Sequence, residues 1–174
     1  MAATSFATAL AFTLQSEGGW SDDPRDPGGA TMEGITLATY RLHFPNASKT
    51  DLRDITDEEV GDIYRNGYWN AVKGDELPAG VDLSVFDFGV NAGPGRSIRL
   101  LQRSVGTAVD GILGPASLMA IQAQAIDRLI SVLAAEQLAF YQGLDGWETF
   151  GNGWARRTAQ REQAARQLAG IVTT

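Results

Sequence analysis

The chain has 174 residues, 44% of them hydrophobic, so it is long enough to bury a core as one domain or as one domain with a small appended subdomain. It has no cysteine and a single histidine, His43, which leaves no disulfide framework, thiolate metal site or histidine cluster, and no cofactor is predicted. Serine–histidine catalysis lacks its usual parts unless His43 acts alone. Its net charge is −7, with 13 acidic against 6 basic side chains in residues 1–76, so no nucleic-acid partner is expected. Carboxylates therefore remain for acid–base chemistry.

The first 14 residues predict a helix. Phe6, Leu10 and Leu14 recur at every fourth position and so share one helical face. The stretch is also similar to the apolar core of a signal peptide, but no Lys or Arg precedes it and it continues directly into Glu17. No run reaches the roughly 18 to 20 apolar residues that a membrane-spanning helix needs. We therefore expect a soluble chain without stable membrane insertion.

The segment SEGGWSDDPRDPGGATMEGIT, residues 16–36, concentrates acids, hydroxyls and glycines. Glu17 lies at the end of the predicted helix, beside two glycines that allow a ligand close to the backbone. Asp26 precedes a proline and is therefore held extended, and Thr31 follows five residues later. Such a set suits a cleft that offers one protonated and one ionised carboxyl to a sugar. The alternative is a surface turn whose acids only solvate the loop.

Helical patterns dominate the rest of the chain. Thr56, followed three residues later by Glu59, forms a capping box, and the pattern that it begins continues to about residue 72. Further helices are predicted over residues 81–93, 94–106, 115–125, 126–144 and 154–172. No convincing alternation of period 2 is found, so the fold is predicted to be all or mainly α-helical, with at most a short hairpin within 19–36.

A local motif begins within the predicted helix at 94–106 and ends just before the predicted helix at 115–125. Leu101-Gln102, Asp110-Gly111 and Gly114, followed by small and apolar residues, are similar to the short helical repeats of bacterial wall-binding modules. The alternative is a helix–turn–helix corner in which the glycines supply the turn. Both interpretations remain open from the sequence.

Taken together, residues 17–36 resemble the signature of glycoside hydrolase family 108, the N-acetylmuramidase-type peptidoglycan hydrolases of phage endolysins and bacterial wall enzymes. The motif Glu-Gly-Gly-aromatic is matched with Trp where Tyr is more usual. The matching residues are Glu17-Gly18-Gly19-Trp20, Asp23-Pro24, Asp26, Gly28-Gly29, Thr31 and Gly34-Ile35-Thr36. Downstream, Asp87, Asn91, Gly93, Leu101-Gln102 and Asp110-Gly111 resemble a region known as a predicted peptidoglycan-binding segment.

This resemblance implies a lysozyme-like fold and a division of labour along the chain. Residues 1–80 are expected to form the catalytic region, and residues 81–174 to complete the cleft within one compact fold. Glu17 is the expected catalytic acid. Asp26 and Thr31 are expected to hold or activate the attacking water, which favours inversion of configuration.

Four further residues are expected to bind substrate on the same basis. Asp87 and Asn91 are four apart and share a helix face. Asn91 would contact an N-acetyl group or steady Glu17, or would instead cap its helix. Tyr68 and Trp69 are expected to stack on sugar faces, the alternative being a place in the core.

The predicted function is cleavage of the bond between N-acetylmuramic acid and N-acetylglucosamine in peptidoglycan, the expected partner. The alternatives are a non-catalytic wall-binding or scaffold module with the same fold, and a glycosidase acting on chitin-like polymers. With no recognisable signal peptide, the protein is expected to be made in the cytoplasm. It is then expected to act as a monomer on the wall, in the periplasm, after delivery or after release through a pore-forming lysis protein.

The last helical pattern is basic, with Arg156, Arg157, Arg161 and Arg166 against one glutamate. Such a run is most often a solvated helix face, and the alternative is a role in meeting an anionic envelope. We expect an apolar stripe that includes Ala159 to pack on the body while some of the arginines face outward. Arg157 and Arg161 would then lower the repulsion on approach to the wall and contribute little to thermal stability.

Overall fold

The predicted N-terminal helix is present as α1 (Ala2–Leu14) in the computed structural model, which describes residues 2–171, with side chains from residue 5 on. Phe6 anchors this helix in the core. Its ring makes edge-to-face contacts with Trp69 and Phe86, at centroid distances of 5.2 and 6.0 Å. These contacts fix the orientation of α1 and so the place where the acidic loop, residues 16–36, begins.

The acidic loop closes into the short antiparallel hairpin expected there. Strand β1 (Thr31–Met32) pairs with β2 (Ile35–Thr36). Between them, Glu33 and Gly34 both have positive φ, 49° and 76°. This is the conformation of a two-residue turn whose twist matches that of the paired strands. The hairpin therefore turns sharply, and the position of Gly34 is set by the backbone.

Short helices connect the hairpin to the core. The capping box of Thr56 and Glu59 is confirmed, because each side chain bonds the backbone N–H of the other. The helices at residues 37–43 and 49–53 are not predicted by the sequence analysis, since each is too short to show a helical period. The elements are α2 (Leu37–His43), α3 (Lys49–Arg53), α4 (Asp57–Tyr64), a π-helical turn (Arg65–Trp69) and a 3₁₀ turn (Gly74–Glu76).

The second half of the chain forms α5 (Val81–Ala92), α6 (Pro94–Val105), α7 (Pro115–Gln122), α8 (Ile126–Gln142) and α9 (Trp147–Leu168). Helix α5 lies at the centre and contacts α1, α6, α8 and α9. All residues from 81 to 89 are buried, because neighbours cover the helix on every side.

Helix α9 begins earlier than the predicted start at residue 154. The ring of Trp147 lies 6.4 Å from that of Trp154, which in turn stacks on Tyr141 at 5.4 Å. These contacts bury aromatic surface and offset the low helix propensity of Gly151 and Gly153 within the same segment.

Gln102 has a structural role in the turn between α6 and α7. Its side chain is fully buried. Its Nε2 donates to Asp110 Oδ1 at 2.8 Å and to the Ile112 carbonyl at 3.0 Å, and its Oε1 accepts the N–H of Gly111 at 2.9 Å. These bonds hold the turn in place, in agreement with the helix–turn–helix interpretation of this motif.

One hydrophobic core includes residues from Ala9 to Ala165 and so draws on both predicted regions. The mainly α-helical, lysozyme-like fold class is confirmed, since β1 and β2 form the only sheet in residues 2–171. In the described part of the chain, no single helix has both the length and the apolar composition to cross a bilayer. Helices α7 and α8 meet that test only together, across a bend of 113°.

Candidate active site

Glu17 lies immediately after α1. Its backbone N–H bonds the Leu14 carbonyl at 3.2 Å and so extends the last turn of the helix. The side chain is half-buried. Burial raises the pKa of its carboxyl above the usual 4.5, the positive charge of Arg157 opposes this rise, and the negative charge of Asp87 adds to it. A carboxyl that keeps its proton to higher pH than usual is suited to general acid catalysis.

Gly34 and Tyr64 form a slot that holds the Glu17 carboxyl. A Cβ at residue 34 would lie 2.6 Å from Glu17 Oε2 and 2.8 Å from the Tyr64 hydroxyl. That hydroxyl donates to the Glu33 carbonyl at 2.9 Å, and the Glu33 N–H donates to the Gly18 carbonyl at 3.0 Å. Burial, with Glu17 nearby, raises the pKa of the Tyr64 phenol, which therefore stays protonated. A side chain at residue 34 could therefore not fit without displacing Glu17 or Tyr64.

Gly34→Ala is expected to lower activity about 10²-fold, because the added methyl group would displace the Glu17 carboxyl from its position. The positive φ also disfavours alanine there. Gly106→Ala separates the two effects, since Gly106 has the same φ of 76° but nothing within 4 Å of an added Cβ. Wall solubilisation and melting temperature should be measured for both variants. Equal activity of the two at equal stability would exclude the slot from catalysis.

Asp87 is fully buried and binds arginines instead of lining the cleft. Arg161 Nε donates to Asp87 Oδ2 at 2.7 Å, Arg157 Nη2 to Oδ1 at 2.7 Å, and the Thr13 hydroxyl to Oδ1 at 2.8 Å. Although burial raises it, the pKa of Asp87 is held below its usual value by Arg161 and Arg157. The prediction that Asp87 binds substrate is wrong, because its carboxylate has no exposed surface.

The predicted solvent-facing role of Arg157 and Arg161 is also wrong. Their side chains are 16% and 0% exposed, since both reach inward to Asp87. Ala159, expected in the apolar stripe, is exposed instead. Arg156 does face solvent. A charge-guided approach to the wall therefore has no support from Arg157 and Arg161, which belong to a buried ion-pair network.

Arg157 links that network to Glu17, the candidate acid. Its charge lowers the pKa of Glu17 against the effect of burial, so Arg157→Gln should raise that pKa further. A general acid must be protonated, and activity falls as pH rises through its pKa. The alkaline limb of the pH profile of kcat/KM should therefore move to higher pH in Arg157→Gln. Arg157→Lys, which keeps the charge, serves as the control. An unmoved limb, or one at lower pH, would show that Arg157 does not act on Glu17.

Asp26 and Thr31 lie on the excursion that follows Glu17. Ser21 and Thr31 exchange two backbone hydrogen bonds of 2.9 and 2.8 Å, so residues 22–30 form a loop beyond this bridge. Asp26 is exposed within the loop, and its Oδ1 accepts the N–H of Gly28 at 2.8 Å. Neither Asp26 Oδ2 nor the Thr31 hydroxyl has a hydrogen-bond partner within the described chain, so both are free to bind a water molecule. Their catalytic roles stay predictions.

The two aromatic residues predicted to stack on sugars lie in different environments. Trp69 is fully buried, and its Nε1 donates to Asp75 Oδ1 at 2.8 Å. Its predicted contact with substrate is therefore wrong. Tyr68 is half-buried, with its ring 5.7 Å from that of Tyr64. It thus lies beside a wall of the Glu17 slot, and its contact with sugar stays a prediction.

Asn91 is exposed near the end of α5. Its Nδ2 donates to the Asp87 carbonyl at 2.9 Å, one turn earlier in the same helix. The residue also lines a cavity of about 290 Å³ together with Arg157, so its predicted contact with substrate remains open. In residues 2–171, no three His, Asp or Glu side chains are grouped closely enough to hold a metal ion.

The sequence analysis misses the contributions of Tyr64 and Arg157 to the site. Tyr64 shows only the helical periodicity of α4, and Arg157 only a basic run in α9. Both approach Glu17 through folding, from positions far along the chain, so local patterns carry no signal for them. Gly34 differs from them, because the loop motif in the sequence analysis already includes it as part of Gly34-Ile35-Thr36.

Comparison with known proteins gives a family model and a solved structure that match this chain. The family model Glycosyl hydrolase 108 matches residues 10–93, which include Glu17, the hairpin and α5. The solved structure of SagA from Brucella abortus is similar over 95% of this chain and 96% of its own, with 41% sequence identity and a TM-score of 0.83. No curated protein gives a significant match. With this match to the family model and a relative of 41% identity over nearly the whole chain, the chain belongs to the glycosyl hydrolase 108 family.

Proposed function

We propose that the chain is an N-acetylmuramidase that hydrolyses the β-1,4 bond between N-acetylmuramic acid and N-acetylglucosamine in peptidoglycan. The observation that carries the proposal is Glu17, a half-buried acid with a raised pKa, whose carboxyl lies so close to Gly34 that a side chain there would collide with it. Family membership supports glycoside hydrolysis. The likeness to SagA extends this support over nearly the whole chain.

The surroundings of Glu17 suit both of its protonation states. Burial favours the protonated carboxyl before the reaction. As the glycosidic bond breaks, Glu17 donates its proton to the leaving oxygen and becomes a carboxylate. The positive charge of Arg157 then stabilises this anion, and solvent later returns the proton. Glu17 can therefore return to its protonated form without a proton from another side chain.

Asp26 and Thr31 supply the second half of the proposed reaction. A water held by the Thr31 hydroxyl and the Asp26 carboxylate attacks the anomeric carbon as Glu17 protonates the leaving group. Asp26 accepts a proton from that water. One direct attack from the face opposite the leaving group inverts the anomeric configuration. The free Asp26 Oδ2 and the free Thr31 hydroxyl support this assignment.

Product analysis of digested sacculi tests the proposed bond. Purified protein should release soluble fragments whose reducing ends are N-acetylmuramic acid, which borohydride reduction converts to N-acetylmuramitol. Reducing ends of N-acetylglucosamine would assign the other glycosidic bond and overturn the proposed specificity. Sacculus binding without any release would instead favour the non-catalytic module.

Asp26→Asn and Thr31→Ala are each expected to lower kcat about 10²-fold or more, with sacculus binding largely kept, because they act on water and not on affinity. Rates and bound fractions should be measured on the same sacculi. Asp22→Asn is a control in the same loop, since Asp22 pairs with Lys49 at 2.9 Å. Weaker binding with an unchanged rate per bound enzyme would assign Asp26 and Thr31 to holding substrate.

A further inference from the structure

Two neighbouring cavities are lined by residues of α5, α6, α8 and α9. One cavity of about 290 Å³ includes Ala92, Arg96, Phe140 and Arg157, and a second of about 480 Å³ includes Ala92, Arg96, Arg99, Arg103 and Phe140. The two cavities share Ala92, Arg96 and Phe140, so they form one surface. We call these six residues the arginine groove. Its inner end is Arg157, whose charge acts on Glu17.

The outer part of the arginine groove is positively charged in a protein of net charge −7. Arg96, Arg99 and Arg103 are spaced to lie along one side of α6, all three are exposed, and α6 has no acidic residue. None of them forms an ion pair with a carboxylate of the described chain. Asp110, an acid that interacts with Arg99, is already bonded to Gln102 and the N–H of Ile112. The three guanidinium groups therefore lack the anionic partners that they could bind.

The groove is also ordered in the part that the two cavities share. The guanidinium of Arg96 lies over the ring of Phe140, 4.8 Å from its centroid. Stacking of this kind fixes the plane of the guanidinium, and apart from Nη1, which donates to the Ala92 carbonyl at 3.3 Å, its N–H groups bond no carboxylate of the described chain. A planar fork of donors is suited to a carboxylate, which it can bind through two parallel hydrogen bonds.

The length of the row formed by Arg96, Arg99 and Arg103 limits the size of a ligand that can contact all three. Arg96 and Arg103 are seven residues apart, which is about 10 Å along a helix. An extended peptide of about three residues covers the same distance. Peptidoglycan carries short peptides with free carboxylates on the lactyl group of each muramic acid, next to the bond that the enzyme is proposed to cleave. A glycan bound at Glu17 can therefore place such a peptide along the groove.

We propose that the arginine groove binds the carboxylates of the peptide stem of peptidoglycan, so that the enzyme prefers glycan that carries peptides over bare glycan. This inference rests on the proposed function, because the stem must project from the muramic acid bound at Glu17. Arg99 and Arg103 contact the stem and take no part in the chemistry.

The test compares two soluble substrates made from the same sacculi. Endopeptidase digestion gives glycan strands with peptides, and amidase digestion gives strands without them. The parent protein should show a kcat/KM about tenfold higher on the peptide-bearing strands, and the double variant Arg99→Gln/Arg103→Gln should lose this preference while keeping its rate on bare strands. The preference should also shrink as salt is added. Arg128→Gln removes an exposed arginine on α8 outside the groove and should behave like the parent.

Binding measured on the same strands separates this inference from the proposed function. If the parent cleaves neither strand, the muramidase proposal fails, and tighter binding of peptide-bearing strands, lost in the double variant, still supports the groove. Equal rates and equal binding of the two strands by the parent would overturn the groove proposal. So would an equal loss on both strands in the double variant. A preference that follows wall phosphate polymers, and not peptides, would assign the groove to another anion and overturn it as well.

Discussion

Glu17→Gln is expected to lower wall hydrolysis by about 10²- to 10⁴-fold while the fold is retained. The amide keeps the shape of the carboxyl in the slot beside Gly34 but has no acidic proton to donate. Clearing of outer-membrane-stripped cells and release of reducing ends should be measured at matched circular dichroism. Asp22→Asn, which removes another carboxylate of the same segment, should keep the parent rate. Equal clearing by Glu17→Gln and the parent would remove Glu17 from the mechanism.

The same substitution should leave stability unchanged or raise it at neutral pH. Burial raises the folded-state pKa of Glu17 above 4.5, so its ionised form is less favourable in the folded state than in the unfolded chain. This cost is fully present above the raised pKa and disappears as pH falls below 4.5, where both states are protonated. The melting temperature of Glu17→Gln should therefore equal or exceed that of the parent at neutral pH, and any difference should vanish in acid. A lower melting temperature at neutral pH would show that the carboxylate stabilises the fold.

Arg161→Met is expected to cost about 3–5 kcal/mol of unfolding free energy, because it leaves the buried Asp87 carboxylate without its most enclosed partner. Arg161 and Asp87 are both 0% exposed and 2.7 Å apart. Urea unfolding should be measured for the parent and the variant. Arg166→Gln is the matched control on the same helix, since its ion pairs with Asp127 and Glu162 are partly exposed, and it should cost much less than Arg161→Met.

A double-mutant cycle with Asp87→Asn tests whether the unpaired charge of Asp87 causes the expected loss of stability. Once Asp87 is neutral, Arg161→Met should cost much less than it does in the parent, because no unpaired buried anion remains. Equal costs in the two backgrounds would show that packing of the Arg161 side chain, and not its charge, is what matters. A small effect of Arg161→Met in the parent would contradict the buried ion pair itself.

Local patterns were sufficient for most of the fold. The capping box at Thr56 and the helical periods of the second half gave the helix positions, because caps and apolar repeats act within a few residues along the chain. The start of α9 was missed because aromatic contacts between Trp147, Trp154 and Tyr141 outweigh the helix-breaking tendency of two glycines. Helices α2 and α3 were missed because they are too short to show a period.

The sequence by itself determined that this is a mainly α-helical protein with a carboxylate-rich loop after its first helix, and it singled out Glu17 as the candidate catalytic acid. Only the tertiary structure decided the environment of that acid. Asp87 and Trp69 look available in the sequence but are enclosed by α1, α9 and the 3₁₀ turn, and Arg157 and Arg161 look solvated but pair with Asp87 across 70 and 74 residues. Burial and long-range ion pairing depend on which elements meet in space. A local pattern cannot report them, although they set the pKa on which the proposed chemistry depends.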